Sequence, residues 1–201
     1  MVRTIAKDHD HKRQHILAVA AEVFAREGIE RASMNEVAKA CGISKANIYH
    51  YYASKDDLVF DILDSYLAAL RDLICDVDLQ GLAPPEQLHA LLRAFLLAYD
   101  GMDHQHKIQA EGLPRLPEAK QDVLKNYQRD LVNRVATVLE ACAPGQLAED
   151  RRKRRDLTMS VFGMLNWFYM WNPKASRSER DEYAAVIADL TLHGVAGRPT
   201  V

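Results

Sequence analysis

Apolar residues along this chain recur at three- and four-residue steps, and no stretch alternates apolar with polar over a strand's length. Ile16, Ala20, Val23 and Phe24 form one stripe. Leu58, Ile62, Leu63, Tyr66 and Leu70 form a second, and Val123, Tyr127, Leu131, Val135, Val138 and Leu139 a third. Such spacing places the apolar side chains on one face of a 3.6-residue helix. Glycines and prolines fall between the stripes, at Gly28, Gly42, Gly81 to Pro85, Gly101, Gly112 to Pro117, Pro144-Gly145, Pro173 and Gly194. These are residues at which helices stop or start. The pattern predicts an all-α fold of about nine helices, with no internal repeat.

Capping signals sharpen the first part of that reading. Ser33 with Glu36 three residues on is a capping box and starts a helix at Met34. Gly42 ends that helix, because the left-handed conformation that closes a helix costs glycine least. Ser44 then caps a second short helix from Lys45 to about Tyr51. Ser54 with Asp57 opens a long helix that runs to about Val77. Three short helices followed by longer ones predict two domains, residues 1–55 and 56–201.

Composition adds little beyond solubility. The 201 residues are 48% hydrophobic and 27% charged, with 26 Lys+Arg against 28 Asp+Glu, a formal charge of −2. These are the values of a soluble globular domain with chain enough for a real core. No stretch approaches the roughly 18 apolar residues of a membrane span, and the polar first 13 residues carry no secretory signal. Cys41, Cys75 and Cys142 are odd in number and form no CxxC pair, which predicts buried reduced thiols in a cytoplasmic protein. The informative charge is local: from Val37 to Lys55 there is no Asp or Glu, while Lys39, Lys45 and Lys55 give +3.

Two short helices joined by a tight glycine turn, with Val37, Ala38, Ile43 and Ile48 facing inward, describe a helix-turn-helix. Its second helix projects Lys45, Asn47, Tyr49, His50 and Tyr51. Lys45 and Asn47 suit base edges in a major groove, and Tyr and His suit phosphate oxygens.

The run FAREGIERASMNEVAKACGISKANIYHYYASKDDLV, residues 24 to 59, resembles the TetR-type transcriptional repressors nearly position for position. The resemblance implies a ligand-responsive repressor, not an enzyme, that binds a double-stranded palindromic DNA operator as a homodimer. By position, Lys45, Ala46, Asn47 and Tyr49 approach bases. Ser33, Ser44, His50, Tyr51 and Lys55 belong to the same DNA-binding set, with Ser33, His50, Tyr51 and Lys55 on phosphates, and Tyr52 packs inward. Ala46 stands where many members carry glycine.

Beyond about Tyr66 the resemblance is one of helical layout. In that family the last two long helices pair with their copies; here Tyr183, Val186, Ile187, Leu190 and His193 would line one face of the last. The run VFGMLNWFYMW, residues 161 to 171, holds both tryptophans. Met164, Asn166, Trp167, Phe168 and Trp171 are expected to divide between pairing and an apolar effector tunnel. The run is similar to that of TetR-type regulators of fatty-acid, sterol and aromatic-acid breakdown, which implies an acyl-CoA effector. A non-CoA hydrophobic effector and a protein-binding adaptor are the alternatives.

Arg151, Arg152, Lys153, Arg154 and Arg155 open a helix against its macrodipole. Arg152 and Arg155 are therefore candidates for CoA phosphates. His9, Asp10 and His11, and likewise Asp103, His104 and His106, lack the fixed geometry of a metal site. Neither a metal nor a cofactor is expected. Arg3, Lys7, Lys12 and Arg13 are candidates for an arm that follows the DNA.

Overall fold

The chain folds into α1 (Val2–Glu27), α2 (Met34–Ala40), α3 (Lys45–Tyr51), α4 (Lys55–Cys75), α5 (Pro84–Ala98), α6 (Asp103–Gly112), α7 (Glu118–Cys142), α8 (Pro144–Leu147), α9 (Arg151–Trp171) and α10 (Arg177–His193). A 3-10 turn, Leu113–Arg115, joins α6 to α7. This computed structural model describes residues 2–194, with side chains from His9 onward; Arg3 and Lys7 of the expected arm lie outside that set. Every regular element among the described residues is a helix, with no strand, as the periodicity predicts. The Pro144-Gly145 break coils into a single-turn helix of its own.

Two compact units divide the chain. One gathers everything up to Leu67 with His104–Lys125; the other joins Ala68–Asp103 to the chain from Asn126 onward. In the first unit the α1 stripe (Ile16, Ala20, Val23, Phe24) is buried together with Val37 and Ala38 of α2, Ile48 of α3 and Leu58, Ile62 and Leu63 of α4. Ile43, expected inside, sits in the turn and is only half-buried. Each fully buried aliphatic or phenyl side chain contributes about 1.5–3 kcal/mol; of the three helices expected to be short, α2 and α3 have 7 residues each, whereas α1 runs for 26.

Segment 104–125 joins the first unit through three cations. Lys107 Nζ donates to the Ala25 carbonyl, Arg115 pairs with Glu30, and Lys120 pairs with Asp57 at the start of α4. Gly112 completes the fit. A Cβ there would stand 3.0 Å from both Ile29 Cδ1 and Val59 Cγ1, so a bare backbone suits this crossing.

In the second unit α10 packs along α5, and α9 covers both. Leu88, Leu91, Leu92, Phe95 and Leu96 of α5 meet Val161, Phe162, Leu165 and Phe168 of α9 and Ala184, Ile187 and Ala188 of α10, all buried. Phe95 and Phe162 meet edge to face, with centroids 5.5 Å apart. Arg180 is buried among these groups, donating to the Ala175 and Leu96 carbonyls and to Asp100. It satisfies the end of α5 from 84 residues away. Of the α7 stripe, Leu131, Val135, Val138 and Leu139 are buried, whereas Val123 is exposed. The thiols also differ from expectation: all three are free, but only Cys41 is buried, Cys75 being exposed at the end of α4 and Cys142 half-exposed.

Candidate nucleic-acid interface

Local chemistry sets the ends of α2 and α3 as the sequence predicts. The Ser33 hydroxyl accepts from Glu36 N (3.2 Å), and the Glu36 carboxylate accepts from Ser33 N (2.7 Å) and Ser33 Oγ (2.9 Å). Those donors hold the Glu36 carboxyl below its ordinary value, the Ser33 backbone N–H first. Gly42 turns the chain at φ +68°, a region that other residues rarely occupy. Ser44 Oγ accepts from Asn47 N at 3.1 Å and starts α3.

From Lys45 to His50 only Ile48 is buried; Lys45, Ala46, Asn47, Tyr49 and His50 are exposed, and Tyr51 is half-exposed. Tyr49 keeps 45% of its surface in water, although it is a large aromatic on a helix with an available core. The outward face therefore carries an ammonium, an amide, a phenol and an imidazole, with no carboxylate within α3. That set donates hydrogen bonds, and it fits the acceptors of base edges and phosphates.

Lys55 departs from expectation, while Ser33 is engaged as its capping box requires. Lys55, expected on a phosphate, directs its ammonium inward instead. It donates to the carbonyls of Ile29 (2.6 Å), Glu30 (3.0 Å) and Ala32 (3.1 Å). An ammonium has three donors, and all three are engaged, so Lys55 ties the loop before α2 to the start of α4. Ser33 likewise spends its O–H on Glu36 within the unit.

A group absent from the local pattern fixes the far end of α3. Tyr52 is buried, as expected, and its hydroxyl donates to Asp61 Oδ2 at 2.5 Å. Arg13 Nε donates to the same oxygen at 2.9 Å, and its Nη2 pairs with Asp61 Oδ1. Burial, then the Asp61 hydrogen bond, push the Tyr52 phenol well above its ordinary value. The two partners of Asp61 lie 9 and 48 residues away. The visible signal was an acid set beside the apolar stripe of Leu58 and Ile62.

In the second unit the residues proposed for an effector do not gather. Phe168 is buried, stacked on Tyr183 with centroids 4.7 Å apart and edge-on to Trp171. Trp167 and Trp171 are 61% and 55% exposed. Met164 is half-buried, and Asn166 is exposed, with Oδ1 accepting from Tyr99 at 2.9 Å. The helical repeat explains the split: α5 and α10 cover the stripe Val161, Phe162, Leu165 and Phe168, and residues about half a turn away face out. Met159, Trp167, Met170 and Trp171 of α9 and Val186 and Leu190 of α10 are each more than one-third exposed. Ile187, expected on the face of Val186 and Leu190, is buried against the core instead.

The basic run is partly neutralised. Arg154 pairs with Glu140, while Arg155 (2.9 Å) and Arg152 (3.7 Å) share Asp156. Asp150 caps α9 by accepting from Lys153 N at 2.8 Å. Asp150, Arg152, Lys153, Asp156, Leu157 and Ser160 line an open hollow of about 460 Å³. Elsewhere, His106 of the loosely grouped Asp103, His104 and His106 shares a 3.0 Å hydrogen bond with Tyr66. No helix among the described residues is long and apolar enough to cross a membrane.

Comparison with known proteins bears on both units. Residues 16–62 match the family of bacterial regulatory proteins described as tetR family, and residues 81–195 match the tetracyclin repressor-like C-terminal domain. MftR of Mycobacterium tuberculosis, a proposed transcriptional regulator of mycofactocin biosynthesis, is 35% identical over 95 residues, 47% of this chain and 46% of MftR. The chain thus spans about half the length of that relative. Among solved structures, a TetR-family transcriptional regulator from Bordetella parapertussis superposes with a TM-score of 0.85. It is 29% identical, over 94% of this chain and 98% of that one. AibR, solved in complex with isovaleryl coenzyme A and operator DNA, superposes with a TM-score of 0.73 at 22% identity, over 89% and 97% of the two chains.

Proposed function

The chain belongs to the tetR family of bacterial regulatory proteins, and from that premise we propose that it is a homodimeric repressor released from a palindromic operator by an acyl-CoA thioester. In this reading residues 1–55 read DNA and residues 56–201 pair the protomers and bind the effector.

The observation that carries the DNA half is the exposed, carboxylate-free face of α3, held by the Ser44 cap at one end and by Tyr52–Asp61–Arg13 at the other. Lys45 and Asn47, near the start of α3, are placed to reach bases, with Ala46 and Tyr49 against the groove. His50 and Tyr51 take phosphates. Ser33 and Lys55 act on the DNA contact indirectly, by fixing the loop before α2. A two-fold axis would set two such helices on successive major-groove faces of one operator.

The pairing surface is assigned to the outward faces of α9 and α10, where Trp167, Trp171, Val186 and Leu190 stay exposed in a single chain. The acyl-CoA assignment draws support from AibR, whose complex holds a CoA thioester, and from the hollow beside Arg152 and Lys153, whose cations suit a phosphate. Effector binding must favour a protomer arrangement with the wrong spacing of α3, which requires different affinity for the two states. The helix α4, which starts beside the DNA-reading helices, is the natural lever.

One pair of measurements tests this. The wild-type chain should shift DNA from its own upstream region in a salt-sensitive way, with Lys45→Ala and Tyr49→Ala weakening the shift. Short- and medium-chain CoA thioesters should reverse it at micromolar concentration, while free CoA and the free acids should not. Arg152→Ala with Arg155→Ala should weaken that reversal about tenfold. Release by the free acids alone would remove the CoA assignment and leave the repressor reading in place.

A further inference from the structure

The first turns of α1 do more than their place outside the core requires. The buried stripe of that helix begins at Ile16, and between His9 and His15 every residue is exposed except Arg13, which is half-buried. Yet this stretch is helical, and it is pinned. Arg13 meets Asp61, which also holds Tyr52 at the end of α3. His9 lies one helical turn before Arg13, on the same face. Its ring is laid flat on Tyr51 of α3, with centroids 4.9 Å apart and planes at 28°. Tyr51 in turn meets His50 edge to face, at 5.9 Å and 85°.

Three rings from two helices thus form one row, His9–Tyr51–His50, beside the face of α3 assigned to DNA. Each ring ends in a hydrogen-bond donor, and none is needed to close the apolar core. A residue stacked flat on Tyr51 stands next to whatever the Tyr51 hydroxyl touches. From this juxtaposition we infer that His9 is itself an operator-contact residue, donating a ring N–H to a backbone phosphate adjacent to the one held by Tyr51. The stack serves this contact by fixing the rotamers of both rings before DNA arrives, so that less side-chain freedom is lost on binding. The sequence alone groups His9 with Asp10 and His11 as surface residues. Asp10 follows on the helix about 100° away, off the face that carries the row. The inference rests on the reading of α3 as the DNA-facing helix, which Lys45 and Tyr49 test separately.

The contact and the stack are separable by substitution. The probe is a duplex of about 30 base pairs selected by the wild-type chain from a random-sequence pool, with affinity read by fluorescence anisotropy at two salt concentrations. His9→Phe keeps a flat ring against Tyr51 and loses the donor; it should bind about fivefold more weakly, with its thermal midpoint unchanged. His9→Arg stacks on Tyr51 and adds a permanent charge. It should bind at least as tightly as wild type, with a salt slope steeper by about two across the dimer, one released counterion per added phosphate contact. His9→Phe at wild-type affinity together with an unchanged salt slope for His9→Arg would overturn the inference. Weakened binding by Lys45→Ala in the same experiment shows that the α3 reading stands, whichever way His9 falls.

Discussion

The short helix α3 and the pair α9–α10 each leave a face uncovered, and the two faces are chemical opposites. On α3 the uncovered groups are Lys45, Asn47, Tyr49 and His50, all donors. On α9 and α10 they are Met159, Trp167, Met170, Trp171, Val186 and Leu190. The polar groups of the first set face water and lose little by waiting for a partner. The second set leaves apolar area exposed at about 25 cal/mol per Å², and patches of that kind mark surfaces that associate. Exposure alone therefore says nothing about role; what the exposed atoms can donate, accept or bury says which partner fits. A polyanion suits α3, and a like surface on a second copy suits α9–α10. Pairing matters to DNA because two linked α3 helices bind one operator with an effective concentration that a single helix lacks.

The sharpest way to break this contrast is to make the second face resemble the first. Trp167→Asp with Val186→Asp puts two carboxylates per protomer into the proposed pairing surface. Sedimentation velocity at micromolar concentration should report a monomer, and operator affinity should fall by roughly a thousandfold, because both helices must bind one site. The thermal midpoint should fall and lose its dependence on protein concentration, because the folded protomer no longer gains from pairing, although neither side chain supports the protomer core. A stable dimer from this variant would mean that pairing uses another face.

Acid should act on the first unit before the second. His106 sits in α6 against Tyr66, and burial pushes its imidazole pKa down to about 4 from an ordinary 6.5. The fold keeps His106 neutral while the unfolded chain takes up a proton. Its contribution is therefore complete above about pH 6.5 and is lost as pH falls from there toward 4. At most about 3 kcal/mol is at stake. Thermal midpoints between pH 7 and 4.5 should drop for wild type, and His106→Gln should flatten much of that fall. Operator binding should be lost on acidification before the dimer dissociates. A wild-type midpoint that does not move across this window would place the imidazole in a wetter site.

Smaller effects come from the side chains proposed to read bases, taken singly. Lys45→Ala and Tyr49→Ala should each weaken operator binding by about 1–3 kcal/mol, with the dimer and its midpoint intact. Lys45→Ala should also reduce the salt slope by about two per dimer if that ammonium meets a phosphate, and leave the slope alone if it reads a base edge. Lys55→Ala offers the useful contrast. Its ammonium serves three carbonyls, so it should lower the midpoint as well as the affinity.

What the sequence revealed, and what it concealed, follows the distance between partners. Ser33 and Glu36, Ser44 and Asn47, and Ser54 and Asp57 each act within three residues, so capping rules find them, and Gly42 with them. Lys55 reaches back 23 to 26 residues, Arg13 meets Asp61 across 48, and Arg180 meets Leu96 across 84. No periodicity announces those pairings. The aromatic run of α9 failed for a different reason. Periodicity says which residues share a face but not which face a neighbouring helix will cover, so Phe168 and Trp167, adjacent in sequence, part company at the surface. The grouping of segment 104–125 with the first unit was hidden likewise, because Lys107, Arg115 and Lys120 look like ordinary surface cations until their partners are known.

The same local device occurs in both regions, which allows a matched comparison at the smallest scale. Ser33 with Glu36 caps α2, and Ser176 with Glu179 caps α10 by the same four-atom exchange, the carboxylates accepting from Ser33 N and Ser176 N at 2.7 Å each. Alanine at either serine removes an acceptor for one helix-start N–H and should cost about 1 kcal/mol, a shift of a few degrees in midpoint. The stability losses should match. The functional losses should not, because α2 sets the seat of α3 while α10 lies in the other unit. Ser33→Ala should lower operator affinity severalfold, and Ser176→Ala should leave it within twofold of wild type when both are measured well below their midpoints. Equal losses of affinity would mean that α10's start bears on DNA binding as directly as α2's does. The separation of a donor face for DNA from an apolar face for pairing would then not hold at the level of single helices.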